Sequence, residues 1–144
     1  MAERRPIRFG ILGAARIAPE ALIKAAQNVP EAEVVAIAAR DPMRAREFAT
    51  VHGVARVLAT YDELINDPGL DVIYNPLPNS LHCQWTIAAL RAGKHVLCEK
   101  PIASNAVEAE RMAKAAAEAG NAGSDRARGP QGVESARPGS RGEI

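Results

Sequence analysis

A glutamate and a lysine, Glu99 and Lys100, directly follow a short apolar segment, His95–Cys98, that has the composition of a buried strand. Neighbouring side chains of an extended chain point to opposite sides, so these two charges are poorly placed to pair with each other. Lys100 could polarise a hydroxyl or carbonyl group of a substrate, or stabilise developing negative charge. Glu99 could bind a ribose hydroxyl, and Pro101 fixes the direction of the chain beyond the pair and is a candidate for a cis bond. The alternative is an ordinary charged surface turn.

The segment from Gly13 to Ala18 follows the first predicted strand and opens the first predicted helix. Dinucleotide-binding proteins place the pattern G-x-G-x-x-G/A at this position. Gly13 and Ala18 hold the first and third places, and Ala15 replaces the second glycine, which normally lets a pyrophosphate approach the backbone. The amides of a helix N-terminus remain available to an anion. The segment therefore predicts a dinucleotide site, with a tight strand-to-helix turn that binds no ligand as the alternative.

The end of the second predicted strand bears on which nucleotide fits. Sites that prefer NAD carry Asp or Glu about 20 residues past the glycine turn, whereas this chain reads Ala38-Ala39-Arg40-Asp41. An alanine cannot bind a ribose 2′-hydroxyl, and Arg40 can pair with a 2′-phosphate. We therefore expect a preference for NADP, with use of both NADP and NAD as the second reading. Alternatively, Arg40 is a solvated loop charge and Asp41 only caps the next helix.

A proline-stiffened loop, Asn75–Ser80, follows the fourth predicted strand. Asn79, the hydroxyl of Ser80 and the amides of the helix that begins here offer polar groups to a ribose or a pyrophosphate. His82 lies in the first turn of that helix, where it either faces the site or packs inside the protein, and the residues alone do not decide between the two.

The segments that must position these groups alternate between strand and helix. Nearly continuous apolar runs are typical of parallel strands covered on both faces. Strands are predicted at Ile7–Leu12, Val34–Ala38, Val72–Tyr74 and His95–Cys98, with a weaker one at Ala55–Leu58. Helices are predicted at Arg16–Gln27, from Asp41-Pro42 to about Val51, after the capping box Thr60–Glu63, at Leu81–Ala92 with Ser80 as cap, and from Asn105 to about Ala119. The alternation predicts a doubly wound α/β sheet of the Rossmann type, which binds its ligand beyond the carboxyl ends of the strands.

Composition excludes several other classes of function. The chain has 144 residues, room for one ordinary domain, and a formal net charge of +1, which argues against a basic surface for nucleic acid. Its apolar runs are too short to span a membrane, and its N-terminus lacks the apolar stretch of a signal peptide. Cys83 and Cys98 form neither a disulfide framework nor a metal-ligand spacing. We therefore expect a cytoplasmic protein that binds no metal, no nucleic acid and no membrane.

Residues 121–144 differ in composition from the rest. From Gly120 onward the chain holds six of its eleven glycines and neither leucine nor an aromatic residue. Such a segment cannot bury enough apolar surface to offset the entropy of ordering. We expect one nucleotide-binding domain over residues 1–120 and a disordered tail over residues 121–144.

Three segments in order, GILGAARIA, YNPLPNSLH and AGKHVLCEKP, resemble the N-terminal NAD(P)-binding domain of the Gfo/Idh/MocA (glucose–fructose oxidoreductase / inositol dehydrogenase) family. The resemblance covers about Ile7 to Gly120, and AGKHVLCEKP is its most specific part. Within the family, the AARIA turn, the ARDP sequence and the PLPNSLHCQW loop are most similar to aldose (xylose) and trans-dihydrodiol dehydrogenases, which are often linked to NADP.

The resemblance implies a role for each matching position. Hydride transfer would take place between C4 of the nicotinamide and a carbon of a sugar, cyclitol or dihydrodiol substrate. Lys100 would be the catalytic residue, beside the nicotinamide and touching the substrate, and Arg40 would bind the adenosine ribose side. The other implied cofactor contacts are Gly13, Ala14, Ala15, Arg16 and Ile17 at the pyrophosphate, Leu77, Asn79, His82 and Glu99 at the nicotinamide ribose, and Pro101 after the lysine.

The chain departs from the family after residue 120. Family members continue into a second α/β domain that supplies most substrate contacts, a Tyr or His for proton transfer, and the dimer interface. Here the Gly/Arg/Pro/Ser tail stands instead, so we expect a truncated chain, inactive alone, whose tail comes from a shifted reading frame. A face left exposed in this way could drive homo-oligomer formation. A nucleotide-binding sensor without catalysis, and a gene fragment without function, are the alternatives.

Overall fold

Strands and helices alternate along the computed structural model, which describes residues 4–122 and 133–135. The strands are β1 (Ile7–Leu12), β2 (Ala32–Ala38), β3 (Arg56–Leu58), β4 (Val72–Asn75), β5 (His95–Cys98) and β6 (Val133–Ser135). The helices are α1 (Lys24–Gln27), which follows a π-helical turn at Pro19–Ile23, then α2 (Pro42–His52), α3 (Tyr61–Ile65), α4 (Asn79–Arg91) and α5 (Ala106–Ala122).

The strands form one sheet in the order β3-β2-β1-β4-β5-β6, and every neighbouring pair is parallel. The order reverses between β1 and β4, which is the arrangement of a doubly wound Rossmann sheet. The predicted fold class is therefore confirmed. All of the predicted strands are present, including the weak one, which is β3.

Two apolar clusters cover the two faces of the sheet. Alternate residues of each strand point to opposite faces, so Ile11, Ile37 and Tyr74 pack with Leu22 and Ile23 on one face. Their neighbours Leu12, Ala38 and Ile73 pack on the other face with side chains of α3, α4 and α5, including Leu64, Leu90 and Met112. Because the strands are buried on both faces, their ends are the places where polar groups can stand without being enclosed.

Local capping interactions set three of the helix starts as predicted. Asp41 accepts a hydrogen bond from the Met43 amide at 2.9 Å, with Pro42 in the first turn of α2. The Thr60 hydroxyl accepts from the Glu63 amide at 3.1 Å before α3. Asn105 accepts from the Glu108 amide at 2.9 Å before α5. Each cap satisfies an amide that has no partner inside the helix.

The first and fourth helices differ from the predictions. The predicted continuous helix Arg16–Gln27 instead contains a π-helical turn, in which the Lys24 amide donates to the carbonyl of Pro19, five residues earlier. Proline has no amide to donate, so it fits only in a first turn, and regular α-helix begins after the widened turn. The predicted cap of α4, Ser80, already lies within the helix, which starts at Asn79 without a side-chain cap.

The predicted disordered tail falls mainly on residues outside the described part of the chain. Of residues 121–144, the structure describes two that end α5 and the three that form β6, which pairs with β5 from Val96 to Cys98. Among the described helices, none combines the length and the hydropathy needed to cross a membrane.

Candidate functional site

A cavity of about 490 Å³ opens where the strand order reverses, at the carboxyl ends of β1, β2 and β4. This is the place at which doubly wound sheets bind ligands. The residues that line the cavity come from four separate segments of the chain: Gly13, Ala14, Ala15, Ala39, Arg40, Asp41, Arg44, Tyr61, Pro76, Leu77, Pro78 and Leu81. The fold therefore brings together the segments after β1, β2 and β4 that the sequence analysis had singled out.

Gly13 begins the segment Gly13–Ala18, called the glycine turn below. Its φ angle is +82°, a conformation that residues with a Cβ rarely adopt. A Cβ at this position would also lie 2.9 Å from Cδ2 of Leu77. The Gly13 amide donates to the carbonyl of Ala38 at 2.7 Å, whereas the amides of residues 14–17 donate to no acceptor within the described part of the chain. Unengaged amides at the start of a helical segment suit a phosphate group, so the turn fits the pyrophosphate of a dinucleotide.

Arg40 and Arg44 line the end of the cavity beside β2. Both side chains are exposed, and neither forms an ion pair with another described residue. Asp41, between them, is occupied as the cap of α2. Two unpaired guanidinium groups at the N-terminal end of α2 make this end of the cavity favourable for a phosphate. Arg44 was not among the predicted site residues, although its position four residues after Arg40 could have indicated it.

The loop after β4 reaches the cavity through Pro76, Leu77 and Pro78. Asn79 is exposed at the first position of α4, where its side chain has no hydrogen-bond partner among the described residues. His82 is buried, with only 1% of its surface exposed. Its Nδ1 lies 2.7 Å from the carbonyl oxygen of Pro101, and its Nε2 lies 2.5 Å from that of Leu77. Of the two placements that the sequence left open, the structure has the packed one.

Glu99, Lys100 and Pro101, called the exit segment below, leave β5 at the same edge of the sheet. The Glu99 carboxylate accepts a hydrogen bond from the Tyr74 hydroxyl at 2.8 Å and one from the Lys100 amide at 3.3 Å. Glu99 is 8% exposed, whereas the Lys100 side chain is exposed and its ammonium group contacts no acidic group in the described structure. The Lys100–Pro101 peptide bond is cis.

Burial and the neighbouring Glu99 carboxylate raise the pKa of Tyr74 well above its ordinary value. The phenol therefore keeps its proton and acts as a permanent donor to Glu99. Burial also raises the pKa of the Cys98 thiol to about 11, so this thiol is protonated at neutral pH and is a poor nucleophile. Within residues 4–122 and 133–135, no three His, Cys, Asp or Glu side chains form a group that could hold a metal ion.

Apart from His82, which is buried inside the protein, the predicted site residues fall into three groups in the structure. The cavity brings together Gly13, Ala14, Ala15, Arg40 and Leu77. Arg16, Ile17 and Asn79 stand exposed beside it, and the exit segment lies at the end of β5, next to β4. Sequence reasoning missed Arg44, Tyr61 and Tyr74. Tyr74 was visible only as part of an apolar strand, because the side chain that it contacts lies 25 residues away.

Comparison with known proteins identifies the family. A family model described as "Oxidoreductase family, NAD-binding Rossmann fold" (GFO_IDH_MocA) matches residues 7–124. The chain is 50% identical over 106 residues to the oxidoreductase ORF334 of Rhizobium meliloti, which covers 74% of this chain and 32% of that protein. It is 46% identical over 100 residues to D-xylose 1-dehydrogenase (NADP(+)) 2 of Haloferax volcanii, covering 69% of this chain and 30% of that protein.

A solved structure gives the same picture. The 3-ketoreductase KijD10 from Actinomadura kijaniata, in complex with NADP and TDP-benzene, matches with a TM-score of 0.74 and 42% identity, covering 80% of this chain and 35% of that one. The chain spans about a third of the length of the relatives it matches. Because the family model matches most of the chain, the chain belongs to the Gfo/Idh/MocA oxidoreductase family, of which it contains the NAD-binding Rossmann domain.

Proposed function

We propose that this chain is the cofactor-binding part of an oxidoreductase that prefers NADP and acts on a sugar-like substrate, an aldose, a cyclitol or a dihydrodiol. The observation that supports this most directly is the meeting of three features at one edge of the sheet. These are the unengaged amides of the glycine turn, the unpaired Arg40 and Arg44, and the exit segment with its exposed lysine. Two relatives named for sugars, one of them specified for NADP, and one named for a dihydrodiol favour the same substrate class and cofactor.

Each part of the cavity would hold one part of the dinucleotide. The glycine turn would donate its amides to the pyrophosphate, and Leu77 would close the cavity over it. The guanidinium groups of Arg40 and Arg44 would pair with the 2′-phosphate of the adenosine ribose. Glu99 and Asn79 would accept and donate hydrogen bonds at the nicotinamide ribose. The polar groups that follow β1, β2, β4 and β5 thus match the order of phosphate and hydroxyl groups along NADP.

Lys100 is the residue proposed to act on the substrate. Its ammonium group is exposed and free of ion pairs within the described residues, so it can donate a hydrogen bond to a substrate oxygen. A positive charge at that oxygen stabilises the negative charge that develops there and holds a proton ready for it. The cofactor, when bound, supplies or accepts the hydride. The orientation of Lys100 towards that substrate depends on the chain on either side of it, Glu99 and Pro101.

A thermal-shift titration with NADP, NADPH, NAD and NADH tests the proposal. Binding to the folded state alone stabilises by about 2.7 kcal/mol at a ligand concentration one hundred times the Kd. We expect NADP and NADPH to raise the melting temperature at lower concentrations than NAD and NADH. A larger effect of NAD would overturn the preference, and no effect of any of the four nucleotides would overturn the proposed function.

A further inference from the structure

The exit segment is held from both faces of the sheet. Tyr74 belongs to the apolar cluster on the face covered by the π-helical turn and α2, and its hydroxyl donates to Glu99 at 2.8 Å. His82 belongs to α4, which packs on the opposite face, and its Nδ1 lies 2.7 Å from the carbonyl oxygen of Pro101. Lys100 stands between these two contacts. Both contacts come from the same strand-to-helix unit, β4 and α4.

Both contacts are made by side chains that solvent hardly reaches. Tyr74 is 0% exposed and His82 is 1% exposed. The hydrogen bond between Tyr74 and Glu99 is buried, so losing one partner leaves the other group without water to replace it and is costly. The contact between His82 and the carbonyl oxygen of Pro101 is partly buried. The phenol remains a donor because its pKa is raised by burial and by Glu99.

The His82 ring joins two loops to each other. Its Nε2 contacts the carbonyl oxygen of Leu77 in the loop after β4, while Nδ1 contacts that of Pro101 in the loop after β5. A carbonyl oxygen only accepts hydrogen bonds, and a neutral imidazole carries one N–H, so the neutral ring donates to one of these two carbonyl oxygens and only contacts the other. Leu77 is also the residue whose side chain closes over Gly13. The ring therefore couples the wall of the cavity to the exit segment.

We propose that Tyr74 and His82 are positioning residues, which fix Glu99 and Lys100 at the nicotinamide end of the cavity without touching the ligand. Within the described residues the Lys100 side chain forms no hydrogen bond or ion pair, so its place is set through its neighbours. The Glu99 amide donates to the carbonyl oxygen of Asn75 at 3.0 Å, and Tyr74 and His82 hold Glu99 and Pro101. The inference rests on the proposed function. It predicts that Tyr74 and His82 affect the binding of the nicotinamide half of the ligand and not that of the adenosine half.

The test uses Tyr74→Phe and His82→Gln in the 144-residue chain, with titration calorimetry of two ligands. NADPH carries both halves of the dinucleotide, and adenosine 2′,5′-bisphosphate carries the adenosine half alone. Loss of one hydrogen bond of about 1 kcal/mol corresponds to roughly fivefold in affinity. We expect each variant to weaken NADPH by about that factor and to change the affinity for the bisphosphate by less than about twofold.

Lys94→Met is the matched control. Lys94 is also buried, and it donates to the carbonyl oxygen of Leu70 at 2.8 Å, at the opposite edge of the sheet. Its loss should lower the melting temperature and leave the ratio of the two affinities unchanged. Equal weakening of both ligands by Tyr74→Phe and His82→Gln would show a purely structural role and overturn the inference. Unchanged NADPH affinity would overturn it as well.

Hydrogen exchange at the Glu99 amide gives a readout that needs no ligand. This amide donates to Asn75, and we expect it to exchange faster in both variants and at the original rate in Lys94→Met. The two contacts lie on opposite faces of the sheet, so each variant tests the inference independently and one of them that folds is sufficient. An unchanged exchange rate of the Glu99 amide in that variant would overturn the inference. If the unaltered chain binds neither ligand, both the proposed function and this inference are overturned. If the unaltered chain binds both ligands and the variants show no selective loss of NADPH affinity, only the inference is overturned.

Discussion

Arg40 and Arg44 line the cavity beside β2, where we propose that the adenosine half of the nucleotide binds, and neither is in an ion pair among the described residues. A charge-assisted hydrogen bond to a phosphate contributes about 1.5–3 kcal/mol, or roughly tenfold or more in affinity. Arg40→Asp should therefore weaken NADP by at least about tenfold, while the affinity for NAD, which has no 2′-phosphate, changes little. Titration calorimetry with both nucleotides measures the difference.

Arg46→Asp is the control for this change. Arg46 is exposed on α2 and does not line the cavity. Its replacement by aspartate changes the net charge by the same amount as Arg40→Asp, close to the same helix. We expect it to leave the ratio of NADP to NAD affinities close to that of the unaltered chain. Equal losses of NADP and NAD affinity in Arg40→Asp would refute the assignment of Arg40 to the 2′-phosphate.

Gly13 and Gly53 provide a matched pair for the glycine turn. Their φ angles are +82° and +71°, so alanine at either place costs about 1–2 kcal/mol of backbone strain. Nothing lies within 4 Å of a Cβ at Gly53, whereas a Cβ at Gly13 would push the end of the Leu77 side chain. Gly13→Ala should lose NADP affinity, and Gly53→Ala should lose only stability. Chemical denaturation and calorimetry on both variants test this, and equal NADP affinity in the two would contradict the role of Gly13.

The residues of the site differ in how far the sequence could reveal them. Gly13 and Arg40 were accessible because each stands at a fixed distance from a predicted strand end. Arg44 lay outside the motif, and Tyr74 was hidden inside an apolar run, since its partner Glu99 is remote in sequence. The placement of His82 depended on two carbonyl groups from different loops, and nothing local to the histidine encodes them.

At the scale of elements, helix starts were predictable where a side chain caps its own helix. Asp41, Thr60 and Asn105 each accept from an amide two or three residues further on, so the whole interaction lies in a short sequence window. The helix after β1 was predicted as continuous, yet it contains the π-helical turn at Pro19–Ile23. That turn places Leu22 and Ile23 against the sheet, a tertiary contact that periodicity alone did not indicate.

At the amino-terminal edge of the sheet, opposite the site, the carboxylate of Asp71 connects the segment before β4 to the N-terminal segment and β1. Asp71, just before β4, accepts from the Arg5 guanidinium at 2.7 and 2.8 Å and from the Arg8 amide at 2.9 Å. The hydrogen bond from Arg5 holds the pKa of Asp71 below its usual range, despite partial burial. The folded-state pKa is depressed, so the stabilisation is present above the unfolded pKa of about 4 and is lost as the pH falls through the lower folded value.

Asp71→Asn should therefore reduce the free energy of unfolding at pH 7 and have little effect once the pH is well below about 4. Because Arg5 is exposed and solvent screens its charge, we expect the ion pair to contribute only a small part of this difference. Urea denaturation across the acid range measures it, with Glu47→Gln, an exposed carboxylate on α2, as the control. A difference between Asp71→Asn and the unaltered chain that stays constant down to the lowest pH would contradict this account.

At the scale of the whole molecule, one sheet with helices on both faces builds an edge that can receive a dinucleotide along its length. The proposed function brings the substrate to the exposed side of that edge, where no other side chain of the described structure encloses Lys100. Enzymes gain much of their rate from fixing the reactants and excluding water. An open edge would bind the proposed cofactor without that enclosure, so we expect binding and turnover to be separable in these 144 residues.

We therefore expect the 144-residue chain to be stabilised by NADP and to oxidise xylose, inositol or other aldoses and cyclitols at less than about one-thousandth of the typical enzyme kcat of roughly 10 per second. Absorbance of reduced nicotinamide over hours, at saturating NADP, measures this. Lys100→Ala is the companion variant: its exposed side chain supports neither the core nor the pyrophosphate turn, so the NADP-induced thermal shift should persist. Turnover at an ordinary enzyme rate would show that the described edge already forms a closed reaction site, and loss of the thermal shift in Lys100→Ala would move Lys100 from the substrate to the cofactor.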